Sequence, residues 1–235
     1  MFYLKIFTEE LGKNVSRNNE HIIKHISWSI KDNRNDVFSN IYCKNLWQSN
    51  ESKSGKGSEI AITKILRDNL KELLTKYEIK TIIDAPCGDY NWFNYLDFEF
   101  VKYYGIDIVS EIIEINKQKY KNDKILFDTG DILTYNFQQA DLVFCRDCFI
   151  HLTFDEIQKA ILNFKKSNSK YLLVTNYEFN GENKNIITGQ FRKINLLQTP
   201  FNFPKPIDKM VDNIDENKFM YLWKLEDLNC DDFTI

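Results

Sequence analysis

A doubly wound, mostly parallel α/β sheet is the fold class this chain predicts, and three observations carry it. Short apolar or β-branched runs alternate with amphipathic, helix-length segments from about residue 58 onward, the order expected of right-handed βαβ units. The stretch Asp84-Ala-Pro-Cys-Gly-Asp-Tyr90 follows Thr81-Ile82-Ile83 and leads into the aromatic segment from Trp92 to Leu96, so it reads as a first strand, turn and helix. Three acids, Asp84, Asp107 and Asp131, then fall at successive strand ends, 23 and 24 residues apart, one per β-α unit.

The elements follow in order. Residues 1–48 form an N-terminal extension, expected to be partly helical and to serve as a lid or a dimer contact; 49–235 form one α/β domain. Ser49 to Ser58 is a polar, glycine-containing loop, and Ser58 is the expected N-cap of a helix reaching about Tyr77, because Ile62, Ile65, Leu66, Leu70, Leu73 and Leu74 recur at helical spacing. Strands are expected at 80–84, 102–107, 124–128, 140–145 and 170–176, with helices at about 90–96, 110–120 and 153–164. Ala140-Asp-Leu-Val-Phe-Cys145 is almost wholly apolar, as a parallel strand covered on both faces should be. The prolines of Thr199-Pro-Phe-Asn-Phe-Pro-Lys-Pro206 break regular structure, and Lys218 to Lys224 has the β-propensity of a last strand, which a long connection allows to run antiparallel.

Composition sets bounds. With 235 residues, 43% of them hydrophobic, the chain buries one sizeable core. A net charge of −3 lacks the basic footprint of nucleic-acid binding, so a small-molecule partner is expected instead. Five cysteines, an odd number, point to a reducing compartment, and the N-terminus lacks the basic start of a signal peptide, so a cytoplasmic location without a membrane span is expected. Cys145-x-x-Cys148 has no second cysteine or histidine pair to complete a zinc set, and no metal is expected.

Ligands of doubly wound sheets bind outside the carboxyl ends of the strands, where these acids and the Cys145-to-His151 segment meet. Gly88 lets a ligand approach the main chain. Asp107, followed by Ile108, is placed to accept ribose hydroxyls, and Asp131, followed by Ile132, to accept an exocyclic adenine amine; each alone also suits a helix cap. His151 is a candidate general base, since imidazole titrates near neutrality, or else a structural histidine. Asp147 stands beside it as a second candidate catalytic residue. Arg146 suits a ligand carboxylate or phosphate, or an ion pair with Asp147. Trp47 and Tyr177 are candidate pocket walls, and Arg192 a candidate grip on an anionic acceptor. The Ser54-Gly-Lys-Gly-Ser58 loop lacks the spacing of a P-loop and reads either as a cover over the ligand or as a hinge.

Taken together, Asp84-Ala-Pro-Cys-Gly-Asp89, Asp107, Gly130-Asp131 and Asp141-Leu-Val-Phe-Cys-Arg-Asp147 resemble a class I S-adenosylmethionine (SAM) dependent methyltransferase over roughly Ser49 to the C-terminus. Pro86 and Tyr90 stand where the family's loop has glycines, while Gly88 is kept. The resemblance implies a Rossmann-like, seven-stranded sheet with an antiparallel final strand and SAM as cofactor. It assigns cofactor contacts to Asp84, Ala85, Pro86, Cys87, Gly88, Asp107, Ile108, Asp131, Ile132 and Arg146. Trp47, the loop 51–58, Arg192 and the 200–204 segment resemble a bacterial branch associated with surface-polysaccharide genes, which implies a saccharide or phosphate-bearing acceptor, O-methylation and a possible homodimer. Competing expectations are an NAD(P)-dependent oxidoreductase, for which Asp107 would also hold a ribose, and a catalytically silent SAM-fold scaffold subunit.

Overall fold

The computed structural model describes residues 33–96 and 102–229, and the elements below belong to the compact unit Arg34–Ile235. Residues 1–32 of the expected N-terminal extension lie outside the described residues. Chain order is α1 (Arg34–Cys43), α2 (Lys64–Lys76), β1 (Thr81–Asp84), β2 (Lys102–Asp107), α3 (Ser110–Tyr120), β3 (Ile125–Thr129), β4 (Leu142–Cys145), α4 (Phe154–Lys166), β5 (Tyr171–Tyr177), β6 (Asp208–Asn213) and β7 (Lys218–Lys224). The seven strands form one sheet in the order β3-β2-β1-β4-β5-β7-β6. β1 to β5 pair in parallel, and β7 runs antiparallel to both β5 and β6. The chain leaves β1 toward β2 on one side and returns to β4 on the other, so the switch point, and with it the ligand crevice, lies at the tip of β1.

Burial explains this arrangement. Side chains alternate across each strand, so Leu172 and Val174 of β5 face one core and Leu173 the other. Ile157, Ala160, Ile161 and Phe164 of α4 fill the first core; Leu66, Leu70, Leu73 and Leu74 of α2 fill the second. Every residue of β5 is buried, as befits a strand covered on both faces. Thr153 caps α4 through a capping box: its hydroxyl accepts the Glu156 N–H at 3.2 Å while the Glu156 carboxylate accepts the Thr153 N–H at 2.9 Å.

Three local expectations are corrected. Ser58 ends a single 3₁₀ turn (Lys56–Ser58), and α2 begins only at Lys64. The reason is that Glu51 takes the Ile60 N–H at 2.7 Å and Ser49 donates to Glu59 at 2.8 Å, which holds 59–63 in turns and leaves Ile62 and Ile65 exposed. The helix expected at 90–96 is one 3₁₀ turn, Phe93–Tyr95, because Tyr90 enters it with a left-handed φ of 57° while Tyr90, Trp92 and Phe93 drop into the core. β6 escaped the sequence reading. Its inward positions are Met210 and Asp212, and a buried acid does not register as strand alternation.

Replacing Thr153 by Ala is expected to cost about 1 kcal/mol of stability. A urea titration reads this as a lower midpoint at an unchanged slope.

Candidate active site

The tips of β1 to β4 open onto one cavity of about 380 Å³, within the size range of small-molecule sites. Asp84, Pro86, Cys87 and Gly88 enter its wall from the loop after β1, Asp107 and Ile108 from the tip of β2, and Asp131 and Ile132 from the loop after β3. Arg146, Asp147 and His151 come from the segment after β4, joined by Trp47 and Tyr177. Two expected residues stand behind the wall. Ala85 is wholly buried in the sheet core, and Arg192 is buried with its guanidinium over the Phe154 ring at 5.4 Å. Arg192 Nη1 donates to the Phe149 carbonyl at 2.7 Å, while Nε and Nη2 have no hydrogen-bond partner among the described residues. Burial lowers this guanidinium to about 10.

The part of the cavity at the tips of β1 and β2 is organised by Asp107. Its Oδ2 accepts the Gly88 N–H at 3.0 Å and its Oδ1 the Val109 N–H at 2.9 Å, so the carboxylate joins the loop after β1 to the start of α3. Burial raises Asp107 to about 6 against the opposing pull of these N–H groups. Gly88 has φ 54° and is packed so closely that a Cβ would lie 2.2 Å from Ser54 Oγ. Asp84 accepts the Tyr103 hydroxyl at 2.6 Å, and burial pushes its carboxyl well above the usual range. Ile108, Ile132 and Leu133 line the same cavity as Asp107 and Asp131. Apolar side chains and two acceptor carboxylates in one cavity fit the chemistry of an adenosine, which has a flat ring, a donating diol and a donating amine.

Asp89, which the sequence reading passed over, fastens the Ser49–Ser58 loop to the rim. Its carboxylate accepts the Lys53 N–H at 2.7 Å and the Ser52 and Ser54 hydroxyls at 2.9 and 3.1 Å. Ser54 to Ser58 therefore line the cavity as a tethered cover. The adjacency of Asp89 to Gly88, with serines at 52 and 54, was the available signal. α1 adds Arg34, Phe38 and Tyr42 to the same wall, where Arg34 grips Asp131. The Asn-rich surroundings of α1 gave no hint of this.

After the tip of β4 lies a largely buried charge cluster. Arg146 holds Asp212 through Nε and Nη2 at 2.8 and 2.9 Å and donates to the Gly57 carbonyl at 2.9 Å. Lys218 reaches Asp147 at 2.7 Å and Asp212 at 3.1 Å. Burial alone would raise Asp147, but Lys218 and Arg146 hold it at about 2. The carboxylate beside His151 is thus fully ionised and committed.

His151 Nδ1 lies 2.9 Å from the Gln190 carbonyl. A carbonyl only accepts, so Nδ1 carries the proton and Nε2 keeps its lone pair, which no donor among the described residues reaches. Burial lowers the imidazole below its ordinary value and keeps it neutral at pH 7. Its ring is flanked by Trp47 at 5.2 Å and Phe191 at 6.1 Å. Gly189 and Arg192 also donate N–H groups to the His151 and Ile150 carbonyls at 2.8 and 3.0 Å, so the 189–192 segment is stitched along the segment that bears His151.

The seven-stranded sheet, parallel through β5 with an antiparallel β7, is a Rossmann-like fold of the kind found in methyltransferases. Residues 82–167 match the family model described as "Methyltransferase domain". Phosphoethanolamine N-methyltransferase of Plasmodium falciparum (isolate 3D7) is 35% identical over 79 residues, which are 32% of this chain and 30% of that protein. The chain thus matches less than a third of that relative's length. Human N-acetylserotonin methyltransferase, solved in complex with SAM, superposes with a TM-score of 0.56 at 12% identity over 86% of this chain and 61% of its own. Magnesium protoporphyrin IX methyltransferase of Synechocystis PCC 6803, solved with bound S-adenosylhomocysteine, gives a TM-score of 0.47 at 17% identity over 62% of this chain and 71% of its own. Among the described residues no helix is long and apolar enough to cross a membrane, and no group of acid, histidine and cysteine side chains is arranged to hold a metal ion.

Asp89→Ala is expected to free the 52–58 cover. Limited trypsin digestion at Lys53 and Lys56 should then run about tenfold faster, with far-UV circular dichroism unchanged.

Proposed function

We propose that this protein transfers a methyl group from SAM to the hydroxyl of a small acceptor, a saccharide or phosphate-bearing intermediate of surface-polysaccharide synthesis, in the cytoplasm. The observation that carries the reading is His151: its Nδ1 proton is pinned to Gln190, so Nε2 is an acceptor in the same cavity wall as Gly88 and Asp107. Asp107 would hold the ribose, Asp131 the adenine amine, and Asp84 with Pro86 to Gly88 the methionine end. When bound, SAM supplies a methyl carbon already activated by its sulfonium, and the electron pair of the broken carbon–sulfur bond returns to sulfur. The protein then has to align the acceptor and take its proton. His151 Nε2 receives the hydroxyl proton as the acceptor oxygen bonds to the methyl carbon. Trp47 and Phe191 beside it offer ring faces to the apolar face of a sugar. Lys56, exposed in the wall, offers a cation to a phosphate. Residues from α1, the last part of the N-terminal extension, would roof the bound donor.

The match to phosphoethanolamine N-methyltransferase favours a second reading, N-methylation of a small phosphorylated amine at the same site. Incubation with methyl-labelled SAM and a panel of sugars, nucleotide sugars and phosphoethanolamine, followed by mass spectrometry of the product, separates the two. No labelled product from any member, despite binding of S-adenosylhomocysteine, would favour the scaffold alternative instead.

His151→Ala is expected to leave S-adenosylhomocysteine affinity within about twofold while lowering methyl transfer about a hundredfold. Transfer at the wild-type rate would remove His151 as the base.

Asp107 gives a pH prediction. Its folded value of about 6 exceeds that of an unfolded aspartate, so as pH falls through 6 the native carboxylate takes up a proton and loses an acceptor for the diol. Calorimetric affinity for S-adenosylhomocysteine is expected to fall about tenfold between pH 7.5 and 5, a dependence that Asp107→Asn should flatten.

A further inference from the structure

We infer that Arg34 is a positioning residue for adenine recognition: it orients the Asp131 carboxylate and thereby sets the cofactor half's preference for an amine over a carbonyl at the base edge. The inference rests on SAM as the donor and adds a determinant from outside the strand-tip loops.

The geometry is specific. Arg34, the first residue of α1, directs Nε and Nη2 onto one oxygen of Asp131, Oδ2, at 3.0 and 2.5 Å. The other oxygen, Oδ1, accepts the Leu133 N–H at 3.0 Å. Asp131 is therefore clamped between a main-chain donor and a guanidinium, with its rotation about the carboxyl bond removed. A carboxylate fixed in this way offers its remaining lone pairs in one direction, and a carboxylate can only accept.

Arg34 is itself held from the far side. Its Nη1 lies 3.3 Å from Glu156 Oε1, and Glu156 is anchored by the Thr153 N–H at 2.9 Å and the Thr188 hydroxyl at 2.6 Å. Asn35, the next residue, donates to the Ile108 carbonyl at 3.0 Å, which fixes the start of α1 over the tip of β2. α1 thus spans the loops after β2 and β3, and Phe38 and Tyr42 lie in the cavity wall beside Arg34. The Arg34 and Asp131 side chains retain 29% and 21% exposure, so the pair faces the cavity instead of being a sealed core contact.

An oriented acceptor discriminates strongly. An exocyclic amine satisfies it, whereas a carbonyl oxygen at the same place sets two acceptors against each other and leaves both unpaired. If Arg34 is removed, Asp131 keeps only the Leu133 bond and can turn away from a mismatched base, so discrimination relaxes.

The test is calorimetry with two probes, S-adenosylhomocysteine and its deaminated counterpart S-inosylhomocysteine, on the wild type, Arg34→Met and Arg34→Lys. Wild type is expected to favour the adenosyl compound about tenfold or more. Arg34→Met should bring the two within about twofold, and Arg34→Lys, a point charge without the fork, should fall between. A purely structural role for Arg34 would weaken both probes equally and leave their ratio intact; that result, or a wild type that does not discriminate, overturns the inference. Hydrogen exchange across residues 34–43 of the wild type gives a reading independent of any variant: S-adenosylhomocysteine should slow it, and an unchanged rate overturns the placement of α1 on the bound nucleoside. Failure of the wild type to bind either probe would instead strike the donor assignment itself, and so is distinguishable.

Discussion

The charge cluster of Arg146, Lys218, Asp147 and Asp212 is the constraint on which the His151 side of the cavity depends. It ties the tip of β4 to the antiparallel pair β6 and β7, and through the Gly57 carbonyl to the loop covering the cavity. Three charges withdrawn from water, Arg146, Lys218 and Asp212, are tolerated only because each meets an opposite partner at hydrogen-bond distance, with the half-buried Asp147 completing the set; removing one member of such a buried pair typically costs about 3–5 kcal/mol. The cluster also explains an unusual backbone. Asp147 sits in the left-handed region with φ 53°, held there by its N–H to the Thr175 hydroxyl at 2.8 Å and its carboxylate to Lys218. This abrupt turn after β4 leads to the 3₁₀ turn that carries His151 into the cavity.

The two halves of the cavity are built on different principles. At the tips of β1 to β3, carboxylates are oriented by main-chain donors from Gly88, Val109 and Leu133. After β4, aromatic rings flank an imidazole whose tautomer is fixed by a main-chain carbonyl. Glu156 touches both. It caps α4, holds Arg34 toward Asp131 and receives Thr188 from the segment stitched beside His151.

Much of this was legible in the sequence, and the reasons are local. The β-branched run at 81–83, the wholly apolar β4 and the 3.6-residue periodicity of α2 and α4 are patterns imposed by burial on one face or two. The three acids at strand tips were legible because sheet geometry brings every parallel tip to one edge. Arg146 was legible as a choice between a ligand anion and an ion pair, and Asp212, from a strand the pattern did not disclose, occupies its guanidinium. Asp89, Lys218 and Phe191 went unremarked as site residues because their contacts arise from neighbours distant in sequence.

By itself, then, the sequence determined the layered α/β architecture, the switch point at Gly88 and the gathering of Asp84, Asp107, Asp131 and His151 at one edge, since hydrophobic period and chain connectivity act over short stretches that can be read in order. Only the tertiary structure decided which charges are spent on one another and which remain for a ligand. Each N–H donates once: the Arg146 guanidinium fork committed to Asp212, 66 residues away, is no longer available, whereas a carboxylate such as Asp131 keeps further lone pairs after meeting Arg34 across 97 residues, and both outcomes exist only once the chain has closed.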